Sequence, residues 1–170
     1  MPIYALGDVE PTIDATAFVH PDAVLIGDVR LGPEASVWPT AVLRADSSYI
    51  EIGARTSIQD GTVIHCTKTQ PTIVGEDCTV GHLVHLEGCT IGRLTLIGSG
   101  SIVLNGATVG DEALVAAGAL VGPNKDVPSG HRAIGVPARI SELASHTNDR
   151  SVQGYLAHSR HYRQDLRRIG

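Results

Sequence analysis

The residues best equipped for chemistry are histidines and carboxylates that recur at matched intervals. Arg44, His65 and Glu87 are almost evenly spaced, and the pair Gln59–Asp60 precedes the pair Gly81–His82 by a similar stretch. Asp46 lies beside the first of these groups and His85 beside the last. Imidazole and carboxylate together form a donor set that holds zinc or iron and turns water into a nucleophile. Cys66, Cys78 and Cys89 form no C-x-x-C pair and read as small packing or surface residues. An odd number of thiols without framework spacing suits a reducing compartment. His20, His131, His146, His158 and His161 fall outside the matched intervals and read as solvated surface groups.

Spacing of this kind needs a repeating scaffold, and the chain has one. An aliphatic residue returns every sixth position through Ile91, Ile97, Val103, Val109, Val115 and Val121. A small residue stands two places before the later members, at Thr95, Ser101, Ala107, Ala113 and Ala119. The same rhythm runs through Leu25, Leu31, Val37 and Leu43, then Ile52, Ile58 and Ile64, then Val74, Val80 and Leu86. A period of six fits neither the 3.6 of a helix nor the simple alternation of a half-buried strand. It fits short strands that turn a corner after each hexad, so that three hexads close one triangular coil. The expected fold is an all-β solenoid of parallel coils over about residues 1–140, with identical positions stacked about 4.8 Å apart. Residues 141–170 form a separate tail. There Val152, Tyr155, Leu156, Tyr162 and Leu166 recur at helical spacing, predicting a helix over about 149–167 with Asn148 or Asp149 as N-cap. Its apolar stripe should run antiparallel to the solenoid axis.

The repeat also serves as a ruler. Leu43, Ile64 and Leu86 occupy one edge of the prism in successive coils, so the outward residues Arg44, His65 and Glu87 should stack in a column. Short insertions near 46–51 and 66–71 lengthen two of the steps. Ile58 and Val80 share a different edge, placing Gln59 and Asp60 one coil below Gly81 and His82. His65 and His82 therefore lie on separate edges and cannot readily meet within one prism. Identical prisms packed around a threefold axis would bring them together at each subunit interface.

Composition narrows the classes further. Thirteen Lys and Arg against eighteen Asp and Glu give a net charge of -5, which argues against a nucleic-acid binder. No apolar run approaches the roughly 20 residues that cross a bilayer. The first residues lack a basic region followed by an apolar one, predicting a cytoplasmic protein.

Four motifs, VLRAD at 42–46, SIQDGTVIH at 57–65, VGH at 80–82 and EGCTIG at 87–92, appear in order. With the GVPAR exit and the C-terminal helix, they make the chain resemble the gamma-class carbonic anhydrase family of hexapeptide-repeat proteins. That resemblance implies left-handed coils and a homotrimer with metal sites between subunits. It implies His65 and Glu87 from one subunit and His82 from its neighbour as ligands, with His85 as the alternative to Glu87. The metal would be zinc, or else iron or cobalt, activating a water that attacks carbon dioxide. Arg44 and Asp46 resemble the family's intersubunit ion pair, Gln59 the group that orients the activated water, and Tyr155 a further catalytic residue.

The chain departs from the family at Glu87, where a histidine is usual, and the segment DSSYIE is too short for an acidic proton-shuttle loop. A His₂Glu set is sound for catalytic zinc, although the carboxylate lowers the charge felt by bound water. Other readings stay open at this level. Related solenoids bind CoA between subunits, which admits an acyl-CoA-dependent transferase or a thioesterase, and a non-catalytic trimeric ligand binder is a third.

Overall fold

The computed structural model describes residues 2–143 and 148–170; His146 lies outside them. The chain winds into a left-handed parallel β-solenoid of about 7 turns, followed by one helix. Three ladders of inward aliphatic side chains fill the prism. The first face stacks Leu25, Leu43, Ile64, Leu86, Val103 and Val121. The second stacks Leu31, Ile52, Val74, Ile91, Val109 and Val127. The third stacks Val19, Val37, Ile58, Val80, Ile97, Val115 and Ala133. All but Val19 are buried, and each buried Val, Leu or Ile contributes roughly 1.5–3 kcal/mol. The small residues of the repeat sit inside the corners. There the Thr56 and Thr62 hydroxyls donate to the carbonyls of Gly75 and Gly81 one coil away, tying neighbouring turns.

The segment expected as an insertion at 46–51 does carry extra residues, since the stretch from Ala45 to Ile50 faces only Gly27 to Val29, and it runs within a continuous strand, Val42–Ile52, which crosses from the first face to the second. It pairs with Val24–Leu31, and the register shifts between Gly27 and Val29. Gly27 has a positive φ of 76°, and a Cβ there would collide with the Ala45 carbonyl oxygen. Glycine is required at this crossing because both the dihedral and the close backbone approach exclude a side chain.

The helix spans Asp149–Asp165, with Asn148 as its N-cap residue. It ends two residues earlier than the spacing predicts, and Leu166 is extended and 45% exposed. Asn148 is buried and donates its side-chain amide to the carbonyls of Asp77 and Thr95, and Thr79 bonds Ser151. Farther along, Trp38 packs edge-on against Tyr155 and Tyr162, Phe18 meets Tyr162, and Arg163 donates to the carbonyls of Ala15 and Thr16. The helix thus runs from later coils back to the first, antiparallel to the solenoid axis. Cutting the chain after Leu143 is expected to lower the melting temperature by about 10 °C or more. The loss would uncover Phe18 and Trp38 and forfeit the buried Val152 and Leu156. Calorimetry of the truncated and full chains checks this, and equal transitions would count against it.

Candidate functional site

The strand register builds the column that the hexad spacing predicts. Arg44 pairs with His65, and His65 with Glu87, at the end of the first face. Ile26 precedes Arg44 in the register, and Leu104 follows Val103 one coil beyond Leu86, so aliphatic side chains bound the polar column at both ends. Thr72 fixes the column's backbone, since its hydroxyl donates to the His65 carbonyl and accepts from the Gly88 N–H.

Side chains along the column form a chain of contacts. Arg44 pairs with Asp46 within the same subunit, because alternate residues of a strand share a face. Arg44 and Asp46, the residues that the resemblance implied as an intersubunit pair, thus lie against each other in the single chain. Asp46 Oδ1 lies 2.9 Å from His65 Nε2, and Glu87 Oε1 lies 3.4 Å from His65 Nδ1. The second oxygen of Glu87 lies 3.3 Å from His85 Nε2. The hydrogen bond to His65, helped by Arg44, holds the Asp46 carboxyl below the usual carboxylate range against the opposing effect of burial.

His82 stands at another corner, between the third and first faces. Its Nδ1 lies 2.9 Å from Asp60 Oδ2, and its side chain is 50% exposed. Gln59, the neighbour of Asp60, is buried and hydrogen-bonds Tyr155 from the helix. Burial pushes the Tyr155 phenol up and the Asp60 charge adds to this, while the bond to Gln59 opposes both. A phenol raised by folding ionises later than in the unfolded chain, so its contribution to stability is lost as pH climbs beyond about 10. Absorbance titration near 295 nm should therefore show a late tyrosinate phase that Tyr155→Phe removes. Persistence of that phase in the variant would sink the assignment.

The structure therefore assembles two half-sites rather than one. Arg44, Asp46, His65, His85 and Glu87 gather at one corner, and Gln59, Asp60, His82 and Tyr155 at another. Among the described residues, no group of three His, Cys, Asp or Glu side chains in one chain is placed to hold a metal ion. Brought together from two copies, the two groups would offer imidazole and carboxylate donors of the kind zinc takes. Asp60 on Nδ1 leaves His82 Nε2 free, and Asp46 on Nε2 leaves His65 Nδ1 turned towards Glu87. Carboxylates that grip the far nitrogen of a histidine are the usual outer partners of metal ligands. Sequence reasoning located Asp60 below His82 but gave it no role; the Gln–Asp pair one coil beneath the Gly–His pair was the available signal. The three cysteines are buried and free, and burial pushes the Cys78 and Cys89 thiols up to about 12.

Stacked hexads, a returning helix and outward histidines at two corners define a hexapeptide-repeat left-handed β-helix protein. No protein-family model matches the chain. It is 45% identical over 139 residues to Protein YrdA of Escherichia coli, covering 78% of this chain and 76% of that one. It is 43% identical over 139 residues to the mitochondrial gamma carbonic anhydrase 1 of Arabidopsis thaliana, covering 78% of this chain but half of that one. A solved hexapeptide transferase family protein from Anaplasma phagocytophilum superposes with a TM-score of 0.90 at 37% identity, covering 95% and 98% of the two chains. The chain belongs to the gamma-class carbonic anhydrase-like family of hexapeptide-repeat proteins.

Proposed function

We propose that the protein is a homotrimeric zinc protein whose interface sites hydrate carbon dioxide to bicarbonate. The observation that carries this reading is the separation of two complementary half-sites on one chain, each with a histidine gripped by a carboxylate. Rotation about a threefold axis sets the His65–Glu87 column of one copy against His82 of the next. Zinc bound there would polarise water towards hydroxide near neutral pH. The chain's own groups do the rest. Asp46 and Asp60 orient the two imidazoles, Arg44 neutralises Asp46, and Gln59, fixed by Tyr155, offers a carboxamide to orient the attacking water. Ile26 and Leu104 exclude bulk water from the ends of the column, which strengthens electrostatic contacts inside it. Among the described residues no helix is long and apolar enough to cross a membrane, and three free thiols suit a cytoplasmic setting.

A second reading, acyl transfer from a CoA thioester, draws support from the transferase-family structure of closely similar fold. Metal analysis of protein purified without chelator, beside stopped-flow hydration of carbon dioxide, separates the two. One zinc per chain with hydratase activity supports the first reading. Metal-free protein that transfers acyl groups from CoA overturns it.

A further inference from the structure

The residue next to His82 is the largest apolar side chain of its column. At the corner between the third and first faces, the left-handed position is filled in successive coils by Thr40, Gly61, Leu83, Gly100 and Gly118. Glycine takes three of these places, as expected where φ is positive. Leu83 has φ 58°, a conformation that a bulky side chain adopts only against a steric cost. Its side chain is also 71% exposed and lies over Gly61, where an added Cβ would meet its Cδ2 at 2.6 Å. Leu94, the other leucine with positive φ, is partly covered by its own chain. Leu83 therefore combines a left-handed backbone, which seven other non-glycine residues share among the described ones, with unburied aliphatic surface, which is its own distinction in this column.

Its surroundings indicate what covers it. Two residues on, His85 pairs with Val63 and Ile102 on the outer side of the first face, and both of these aliphatic residues are exposed. Leu83, Val63 and Ile102 thus leave aliphatic surface exposed towards the face that separates the two half-sites, with His85 between the last two. His82 can complete the site only by reaching another copy, so whatever docks His82 also meets Leu83.

We infer that Leu83 is the anchor by which a second copy of this chain seats His82 beside its own His65–Glu87 column. The inference rests on the interface site proposed above and names the contact that assembles it. The left-handed backbone projects Leu83 outward beside His82, so burying the leucine against the partner fixes the depth of the imidazole.

Leu83→Gly tests this with effects of opposite sign. Glycine relieves the backbone cost and removes the apolar side chain, so the fold of the single chain should be kept or improved. Leu83→Asn, which tolerates positive φ and keeps some bulk, serves as the second variant. Sedimentation equilibrium over a dilution series should show both variants dissociating at concentrations at least tenfold higher than the parent. Metal content should fall in parallel. Variants that assemble like the parent, with a raised melting temperature alone, would overturn the inference, and so would a parent that is monomeric. Weakened assembly in the variants of a metal-free parent would uphold the anchor while overturning the zinc reading.

Discussion

His82→Ala is expected to lose metal while keeping the fold, and His65→Ala to do the same from the opposite half-site. Both side chains point out of the prism, so neither substitution opens a cavity in the aliphatic ladders. The loss should exceed the about 10–100-fold that removal of an outer carboxylate costs, because a ligand itself is removed. Glu87→His should act in the other direction. Neutral imidazole in place of a carboxylate leaves a bound cation one charge more positive, which favours ionisation of water near neutral pH. Metal content by mass spectrometry, circular dichroism and stopped-flow hydration together check the set. Parent-like metal content in His65→Ala and His82→Ala would refute the ligand assignment.

Gly27→Ala is expected to be the most damaging single methyl group in the chain. The residue sits at positive φ, and the new Cβ would press on the Ala45 carbonyl of the next coil. Strain at the dihedral and displacement of the strand each cost about 1–3 kcal/mol. Together they predict a fall in Tm of about 4–24 °C for a chain of this size. Ala45 lies between Arg44 and Asp46, so the displaced backbone should also disturb the His65 contact and weaken metal binding. Thermal melts and metal titration of the variant measure both effects. A parent-like melt would show that the crossing of these two strands adapts without strain.

The sequence carries the solenoid openly because every coil repeats the same demand. A large aliphatic residue and a small one recur at fixed separation, and errors in one hexad are corrected by the next. The same count places Arg44, His65 and Glu87 in one column and His82 at another corner. It does not reveal the strand through 46–51, because Asp46, Ser47 and Ser48 show no aliphatic alternation while the chain turns between faces. Nor does spacing disclose local dihedrals, so Leu83 reads as an ordinary turn residue until its positive φ is seen. The Asp60–His82 and Gln59–Tyr155 contacts depend on side-chain reach across coils and from the helix, which periodicity leaves unspecified.

The returning helix measures the solenoid as a caliper does. Its seventeen residues extend about 25 Å, and the five third-face strands from Phe18 to Ile97 span about 19 Å. Anchors at both ends, Asn148 on Thr95 and Arg163 on Thr16, fix how many rungs fit between them. An additional coil inserted below Thr95 would push the anchors apart, and a deleted one would leave the helix overhanging. Growth or loss of coils during evolution, and insertion of new ones by design, are therefore opposed by the clasp over the coils that carry both half-sites.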